Sequence, residues 1–187
     1  MIYIKDDFLD DNLIELLNAN KDEFQEIKTP GKSFWVKEVP KPIADIIKFE
    51  IEDLEHARIE PILYFMREAK EGQDRDWRIH NDSIIEGQQP DRACVLYISE
   101  EQDEGLNGTA FWEHWKHGEK FEDVSVEEQN RLLKEDANSP KKWRLKSIIG
   151  HKKNRLISYP CNYFHSKYPN EFVDSRVVFV MFYKIKK

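Results

Sequence analysis

This 187-residue sequence has only two cysteines and no hydrophobic run of membrane-spanning length. Its two cysteines, Cys94 and Cys161, form neither a disulfide framework nor a metal-ligand spacing. No N-terminal apolar stretch precedes a small-residue cleavage site, so we expect a reducing, cytoplasmic setting. Even the apolar stretch from Ile157 to Phe164 is broken by polar residues and a proline, so we expect no membrane span.

The charge balance is acidic, with 29 Lys and Arg against 36 Asp and Glu and a net charge of -7. Such a balance repels nucleic acid at long range and gives no support for polyanion binding by the protein as a whole. The length suits one domain, and the sequence has no internal repeat or low-complexity segment. We therefore predict a single domain over 1–187, with helical support over 1–57 and a β core over 58–187.

Two amphipathic helices are predicted in the N-terminal part. The first begins after a capping aspartate, Asp10, and continues to about Phe24. A turn at Pro30-Gly31 separates it from the second, which runs from Pro42 to near His56 with apolar residues at helical spacing.

Beyond Ile62 the pattern changes to short β-rich runs separated by turns. The predicted strands are 62–66, 77–80, 93–99, 109–112, 145–149, 155–159 and 176–185. Strands that mostly follow one another without helices favour an antiparallel sandwich or barrel. Asn107-Gly108 predicts a hairpin turn. One helical insertion, near 125–137, is predicted to start at a Ser125 capping box and to lie over one end of the β core.

The triplet His80-Asn81-Asp82 is the strongest chemical signal in the sequence. In an extended backbone, residues two apart project to the same side, so His80 and Asp82 point together while Asn81 points away. Imidazole nitrogen and carboxylate oxygen suit a first-row metal ion. With His165 as a third ligand, three coordination positions stay open, as non-heme iron oxygenases require.

These residues resemble the Fe(II)- and 2-oxoglutarate-dependent oxygenases, particularly their prolyl-hydroxylase-like branch. The resemblance covers most of the chain. Besides the triplet, it rests on the strands 95–99 and 107–111 and on Tyr163-Phe164-His165, followed eleven positions later by Arg176. It implies a mainly β fold, a double-stranded β-helix (jelly roll) with the N-terminal helices packed on the outside.

The resemblance also implies roles for individual residues. His80, Asp82 and His165 would bind Fe(II), the planar fork of Arg176 would hold the distal carboxylate of 2-oxoglutarate, and the Tyr97 hydroxyl would contact the same co-substrate. Many members carry Ser or Thr two residues after the arginine, where this sequence has Val178. A second carboxylate donor is therefore expected from elsewhere. The implied reaction consumes O₂ and 2-oxoglutarate, releases succinate and CO₂, and hydroxylates an unactivated C–H bond.

Three functions stay open on the sequence. The first is hydroxylation of a protein or peptide side chain such as proline. The second is the same reaction on a small metabolite or a nucleic-acid base, suggested by the basic segment 141–155 and by nearby tryptophans. That segment also fits a lysine-protected edge strand, and packing explains Trp112, Trp115 and Trp143 about as well. The third is a cupin-like metal-binding module without turnover.

The remaining histidines are assigned other roles. His114 and His117 lack the glutamate of the zinc-protease motif, and we expect them to be solvated or substrate-facing at the mouth of the site. His56 and His151 have no partners at ligand spacing and are expected to be structural or exposed. Substrate specificity is expected in the loops 87–91 and 116–140, whose shape is not readable from sequence, and the oligomeric state stays open.

Overall fold

A computed structural model describes residues 1–19, 23–29, 32–72, 76–101, 106–122, 125–172 and 174–186. The helices are α1 (Asp11–Asn18), α2 (Lys41–Glu55) and α3 (Val126–Arg131). The strands are β1 (Tyr3–Lys5), β2 (Gln25–Thr29), β3 (Lys32–Lys37), β4 (Ile59–Ala69), β5 (Arg92–Tyr97), β6 (Gly108–His114), β7 (Trp143–Gly150), β8 (Leu156–Pro160), β9 (His165–Tyr168) and β10 (Arg176–Ile185).

Two antiparallel sheets hold most of the regular secondary structure in the described residues. The larger has seven strands in the order β1-β8-β5-β10-β4-β3-β2, and the smaller has the order β7-β6-β9. The outer core packs α1 and α2 against the large sheet through residues such as Ile14, Ile47, Leu96 and Phe179. The fold is therefore mainly β with two sheets, as predicted for a jelly roll with helices outside.

Strand alternation decides which side chains face the space between the sheets. Along β10, Val177 and Phe179 belong to the core under the helices, whereas Val178 and Phe182 belong to the core between the sheets. Arg176 has the parity of Val178 and so begins β10 on the inner side. The same alternation places Tyr97 of β5 on that side.

The N-terminal part differs from the predicted helical support. Helix α1 is capped by Asp10, whose side chain accepts from the Asn12 N–H, but it ends at Asn18 rather than near Phe24. Three strands that the sequence pattern missed, β1, β2 and β3, join the large sheet. Their charged, half-exposed residues hide the alternation typical of a buried strand. The predicted turn at Pro30-Gly31 lies outside the described residues.

Two local predictions were wrong. Residues 77–80 form no regular strand, and only an isolated bridge joins His80 to His165. Asn107-Gly108 does not turn between paired strands, because β5 and β6 lie in different sheets. Gly108 instead begins β6 with φ at 152°, and a Cβ there would lie 2.0 Å from the Ile149 carbonyl oxygen. Close backbone approach explains this glycine.

The helical insertion forms as predicted and ends in an unusual way. The Ser125 hydroxyl accepts from the Glu128 N–H, capping α3, and the chain continues as a π-helix over Leu132–Asp136. Such π-turns are rare and often lie beside functional sites. None of the helices in the described ranges has the length and apolarity needed to cross a bilayer.

The basic segment fits the edge-strand interpretation. Strand β7 lies at the edge of the small sheet. Its Arg144 and Lys146 pair with Glu113, while Lys153 pairs with Glu15 and Glu100. Lys152 and Arg155 both pair with Asp6. These ion pairs offer no support for an anion-binding stripe.

Candidate metal and co-substrate site

Three side chains from distant parts of the chain meet between the sheets. The ligand atoms of His80, Asp82 and His165 all lie within 4.8 Å of one another. The Asp82 carboxylate faces both rings, with Oδ1 3.5 Å from His80 Nε2 and Oδ2 3.1 Å from His165 Nε2. The structure therefore brings together the three residues expected to bind metal.

Hydrogen bonds on the far side of each ring fix which nitrogen faces Asp82. His80 Nδ1 lies 2.7 Å from the Arg78 carbonyl oxygen, and His165 Nδ1 lies 3.0 Å from the Tyr163 carbonyl oxygen. Because a carbonyl only accepts, each Nδ1 carries the proton in a neutral ring, and each Nε2 presents a lone pair. Two lone pairs then face a carboxylate with no proton between them, so the donor set fits a bound cation.

The pKa values agree with this protonation pattern. Burial, with smaller contributions from His165 and Arg78, lowers the pKa of His80 to about 3. Burial acts to raise the pKa of Asp82, but the neighbouring His165 and His80 outweigh it, and the pKa falls. At neutral pH His80 is a neutral donor and Asp82 an anionic one, the forms that bind metal.

Backbone hydrogen bonds hold the ligand segment although it is not a regular strand. The Asp82 N–H donates to the Cys161 carbonyl at 2.7 Å. The Ile79 N–H donates to Ala137 at 3.0 Å, and the Arg78 N–H to Asn138 Oδ1 at 2.8 Å. The last two contacts come from the end of the helical insertion, which therefore braces the segment that carries His80 and Asp82.

A small cavity of about 100 Å³ opens beside the three ligands and reaches Arg176. Arg176 is 7% exposed, and among the described residues its Nε is a buried donor without a hydrogen-bond partner. A buried cation with an unsatisfied donor is costly unless an anion binds there. The cavity thus fits a carboxylate at the end remote from the metal ligands.

Tyr97 contacts Arg176 but does not itself line the described part of this cavity. Its ring lies 5.2 Å from the Arg176 guanidinium carbon, and its hydroxyl hydrogen-bonds the Thr109 hydroxyl at 2.8 Å. Thr109 does line the cavity. Direct contact between Tyr97 and a co-substrate stays a prediction, while its contact with Thr109 is part of the structure.

Five polar residues of the cavity lining were missed at the sequence level: Arg67, Thr109, Tyr159, Ser166 and Lys167. Thr109 lines the cavity and carries a hydroxyl, which Val178 lacks, so it is a candidate for the expected second carboxylate contact. Lys167 also donates to the Asp76 carbonyl at 3.1 Å. The sequence could have indicated Lys167, because residues two apart on a strand project to the same side, and Lys167 lies two residues after His165.

His151 is structural, one of the two roles expected for it. Its ring stacks on Tyr97 with centroids 4.6 Å apart, and its Nε2 lies 2.9 Å from the Ser99 carbonyl oxygen. Burial, with a smaller effect from the Arg176 charge, lowers its pKa to about 4. His151 is therefore neutral at pH 7. His56 is exposed at the end of α2.

A larger cleft of about 700 Å³ also reaches His80 and Asp82. That volume lies in the range of about 300–1,000 Å³ typical of ligand sites. Its other lining residues are Ile27, Phe34, Val36, Lys37, Glu38, Val39, Ile62, Leu63, Tyr64, Phe65, Arg67, Arg78, Ile85, Glu86 and Phe182. The described lining comes mainly from β2, β3 and β4 and includes no residue of 87–91 or 116–140. A role of those loops in substrate specificity stays a prediction.

The rival histidine pair is not at the mouth of the site. His114 is buried, with Nε2 3.2 Å from Asp136 Oδ2, and His117 Nε2 lies 2.8 Å from Glu128 Oε1. Neither residue lines the cleft or the cavity. The expected solvated or substrate-facing role was wrong because the insertion covers them. Trp112 and Trp143 pack in the same core, whereas Trp115 is exposed.

Comparison with solved structures shows a shared fold at low sequence identity. A prolyl-4-hydroxylase from Pseudomonas putida aligns with a TM-score of 0.58 at 12% identity, over 100% of this chain and 93% of that one. A viral collagen prolyl hydroxylase from Paramecium bursaria Chlorella virus-1, solved with 2-oxoglutarate, gives 0.57 at 12% identity, over 100% and 96%.

HygX from Streptomyces hygroscopicus, solved with nickel and 2-oxoglutarate, gives a TM-score of 0.64 at 9% identity, over 98% of this chain and 82% of that one. HygX has also been solved with hygromycin B bound. No protein-family model matches the sequence, and comparison with curated proteins found no match. The chain therefore has the fold of prolyl hydroxylases and related 2-oxoglutarate-dependent oxygenases.

Proposed function

We propose that this protein is an Fe(II)- and 2-oxoglutarate-dependent dioxygenase that hydroxylates a C–H bond and releases succinate and CO₂. The observation that carries the proposal is one small cavity with a two-histidine, one-carboxylate ligand set at one end and Arg176 at the other. A dicarboxylate fits both ends, because one end binds it through metal and the other through a planar cation.

Each residue has a defined task in this proposal. His80, Asp82 and His165 hold the iron, which when bound supplies O₂ activation together with 2-oxoglutarate. Arg176 orients the co-substrate by its distal carboxylate, and Thr109 adds a hydroxyl donor near it. The buried surroundings exclude water from the reacting groups.

The substrate that the prolyl-hydroxylase-like resemblance favours is a protein or peptide side chain such as proline. A small metabolite is the second candidate, favoured by the bounded cleft and by the HygX neighbour solved with hygromycin B. Five of the seven cations in the basic segment 141–155 form ion pairs, so the segment gives no separate reason to favour a nucleic-acid base.

The test is turnover of 2-oxoglutarate by purified protein reconstituted with Fe(II) under air. We expect succinate to form slowly even without prime substrate, through uncoupled turnover, and to be lost in Asp82→Ala. Metal binding without 2-oxoglutarate binding or succinate would instead support the cupin-like module without turnover. Absence of 2-oxoglutarate binding would overturn the dioxygenase proposal.

A further inference from the structure

The guanidinium of Arg176 lies over two aromatic rings. Its carbon is 5.2 Å from the Tyr97 ring centroid and 5.3 Å from the Phe172 ring centroid. Tyr97 belongs to β5, and Phe172 lies in the connection between β9 and β10, where it is 2% exposed. A cation over a ring face is attracted by the negative charge of that face, and the attraction is stronger in buried surroundings. The two rings therefore stabilise the cation at this end of the cavity.

No acidic side chain of the described ranges accompanies these ring contacts. Within those ranges the Arg176 side chain makes no hydrogen bond or ion pair, and its Nε is buried without a partner. Arg92, which is also buried, instead lies with its Nε 2.7 Å from Glu55 Oε1. A carboxylate partner occupies N–H donors and neutralises the charge, whereas a ring face does neither. The ring contacts thus leave the donors of Arg176 open to a ligand carboxylate.

Tyr97 is itself held at two points. Its hydroxyl hydrogen-bonds the Thr109 hydroxyl at 2.8 Å, and the His151 ring stacks on it with an interplanar angle of 17°. The His151 ring is fixed in turn, with Nε2 2.9 Å from the Ser99 carbonyl oxygen. Tyr97 is therefore a rigid support. Because it also contacts Thr109, a residue of the cavity lining, its substitution would change two features of the site at once.

Phe172 contacts the arginine without reaching the cavity. It does not belong to the described lining of either the cavity or the large cleft. Its ring also lies 5.7 Å from the Nζ of Lys167, a residue of the cavity lining. The side chain of Phe172 has no polar atom with which to bind a ligand. Any effect of Phe172 on co-substrate binding must therefore act through the groups that its ring contacts.

We propose that Phe172 is a positioning residue for 2-oxoglutarate, because its ring, together with that of Tyr97, holds the Arg176 guanidinium in place for the distal carboxylate. This proposal rests on the dioxygenase function and adds a residue on which co-substrate affinity depends. A side chain that is held before binding loses less rotamer freedom when the carboxylate binds. Without the ring, the guanidinium would be free to adopt other rotamers, and binding would have to order it.

Phe172→Leu tests this, because leucine keeps an apolar side chain at the buried position and lacks the ring. Phe172→Met is a second ring-free variant, whose flexible side chain adapts to an irregular space. Phe172→Tyr keeps the ring. Phe8→Leu is the matched control, because Phe8 is a buried phenylalanine of the core under the helices. Calorimetry on Ni(II)-loaded protein measures the affinity for 2-oxoglutarate and for 2-oxopentanoate, which has the same chain length without the distal carboxylate.

We expect 2-oxoglutarate to bind about three- to tenfold more weakly in Phe172→Leu and Phe172→Met, the size that a buried cation–π contact implies. The affinity for 2-oxopentanoate should not change, since that acid has no group for Arg176 to bind. Phe172→Tyr and Phe8→Leu should retain the 2-oxoglutarate affinity of the unmodified protein. In an Arg176→Ala background, Phe172→Leu should cause no further loss, because the contact through which the ring acts is already absent.

Unchanged 2-oxoglutarate affinity in both ring-free variants would overturn the proposal. Equal losses for 2-oxoglutarate and 2-oxopentanoate, or the same loss in Phe8→Leu, would also overturn it, since either result indicates a general disturbance of the fold. A full loss that persists in the Arg176→Ala background would show that the ring acts through another group.

The unmodified protein is measured in parallel for 2-oxoglutarate binding and uncoupled succinate formation. If both are present while the ring-free variants bind 2-oxoglutarate normally, only the positioning role of Phe172 is wrong. If the unmodified protein does not bind 2-oxoglutarate, the dioxygenase function is overturned together with it.

Discussion

The main chains of His80 and His165 exchange two hydrogen bonds. The His80 N–H donates to the His165 carbonyl at 3.0 Å, and the His165 N–H donates to the His80 carbonyl at 2.8 Å. Two imidazoles separated by 85 positions in the sequence are thereby fixed side by side before any metal binds. Such preorganisation reduces the conformational entropy that metal binding would otherwise cost.

Loss of a ligand should abolish metal binding. In His80→Ala or His165→Ala, we expect iron content close to zero and loss of the rise in melting temperature that added metal produces, because binding to the native state stabilises it by mass action. Metal analysis and thermal unfolding with and without Ni(II) measure this. His117→Gln serves as control for the rival histidine pair. A metal-dependent shift that disappears in His117→Gln and survives in His165→Ala would place the site elsewhere.

Removal of the anion-binding arginine should separate co-substrate from metal. We expect Arg176→Ala to keep its iron and to weaken 2-oxoglutarate binding by about tenfold or more, because a charge-assisted contact is lost. The 2-oxoglutarate affinity of Arg176→Lys should lie between those of the unmodified protein and Arg176→Ala, since lysine retains the charge without the planar fork. Calorimetric titration with 2-oxoglutarate gives the affinities. Unchanged affinity in Arg176→Ala would show that another residue is the anchor.

The hydrogen bond between Asn138 and the Arg78 N–H should affect the metal affinity, although neither residue is a metal ligand. Asn138→Ala removes the bond to the Arg78 N–H, and we expect about tenfold weaker metal binding, a size typical of residues that orient ligands. Lys134→Ala, an exposed change on the same insertion, is the control. Competition with a metal-binding dye reports the affinity. Equal affinities for both variants would mean that the insertion merely covers the site.

Buried His151 should make stability depend on pH in a defined window. Its pKa is lowered to about 4 in the folded protein, against about 6.5 for an unperturbed histidine. The unfolded chain therefore binds more protons between these values, so stability is complete above pH 6.5 and declines as the pH falls towards 4. The decline from this group amounts to about 3 kcal/mol at most, because each pKa unit corresponds to about 1.4 kcal/mol.

His151→Gln tests this because glutamine keeps a donor for the Ser99 carbonyl and does not titrate. Chemical denaturation from pH 4 to pH 8 gives the unfolding free energy of each protein. We expect a shallower pH slope in His151→Gln than in the unmodified protein, whereas His56→Gln, at an exposed position, keeps the original slope. Parallel slopes for the unmodified protein and His151→Gln would contradict the assignment.

Sequence patterns predicted which candidate ligand residues lie together better than they predicted which residues line the cleft. His80 and Asp82 were expected on one side because residues two apart in an extended chain project together, and their ligand atoms do meet although the segment forms only an isolated bridge. Arg176 was expected from the resemblance, eleven positions after His165, and the alternation of β10 in the structure places it on the inner side. These features depend on local spacing, which the sequence displays directly.

The cleft could not be predicted in the same way. Phe34 and Arg67 meet because β3 pairs with β4 across about thirty positions, and no local pattern specifies that pairing. The same holds for the insertion, whose contact with Arg78 depends on a π-helix that shifts the positions of Ala137 and Asn138. The sequence showed the helix and its cap, but the shift appears only in the structure.

Alternation along β10 also determines where the chain near Arg176 can change in length. Insertion of one residue within the paired part of β10 would turn Arg176 towards the helices and bring an apolar neighbour into the cavity. Two residues would restore its side of the sheet, although not its position along the strand. The first residue pair between β10 and β4 is Arg176 with Ala69. In homologous sequences that keep a cation at position 176, we therefore expect length variation in the loop between β9 and β10, before this pair. Within β10, we expect an insertion only together with a second length change that returns Arg176 to its original side of the sheet.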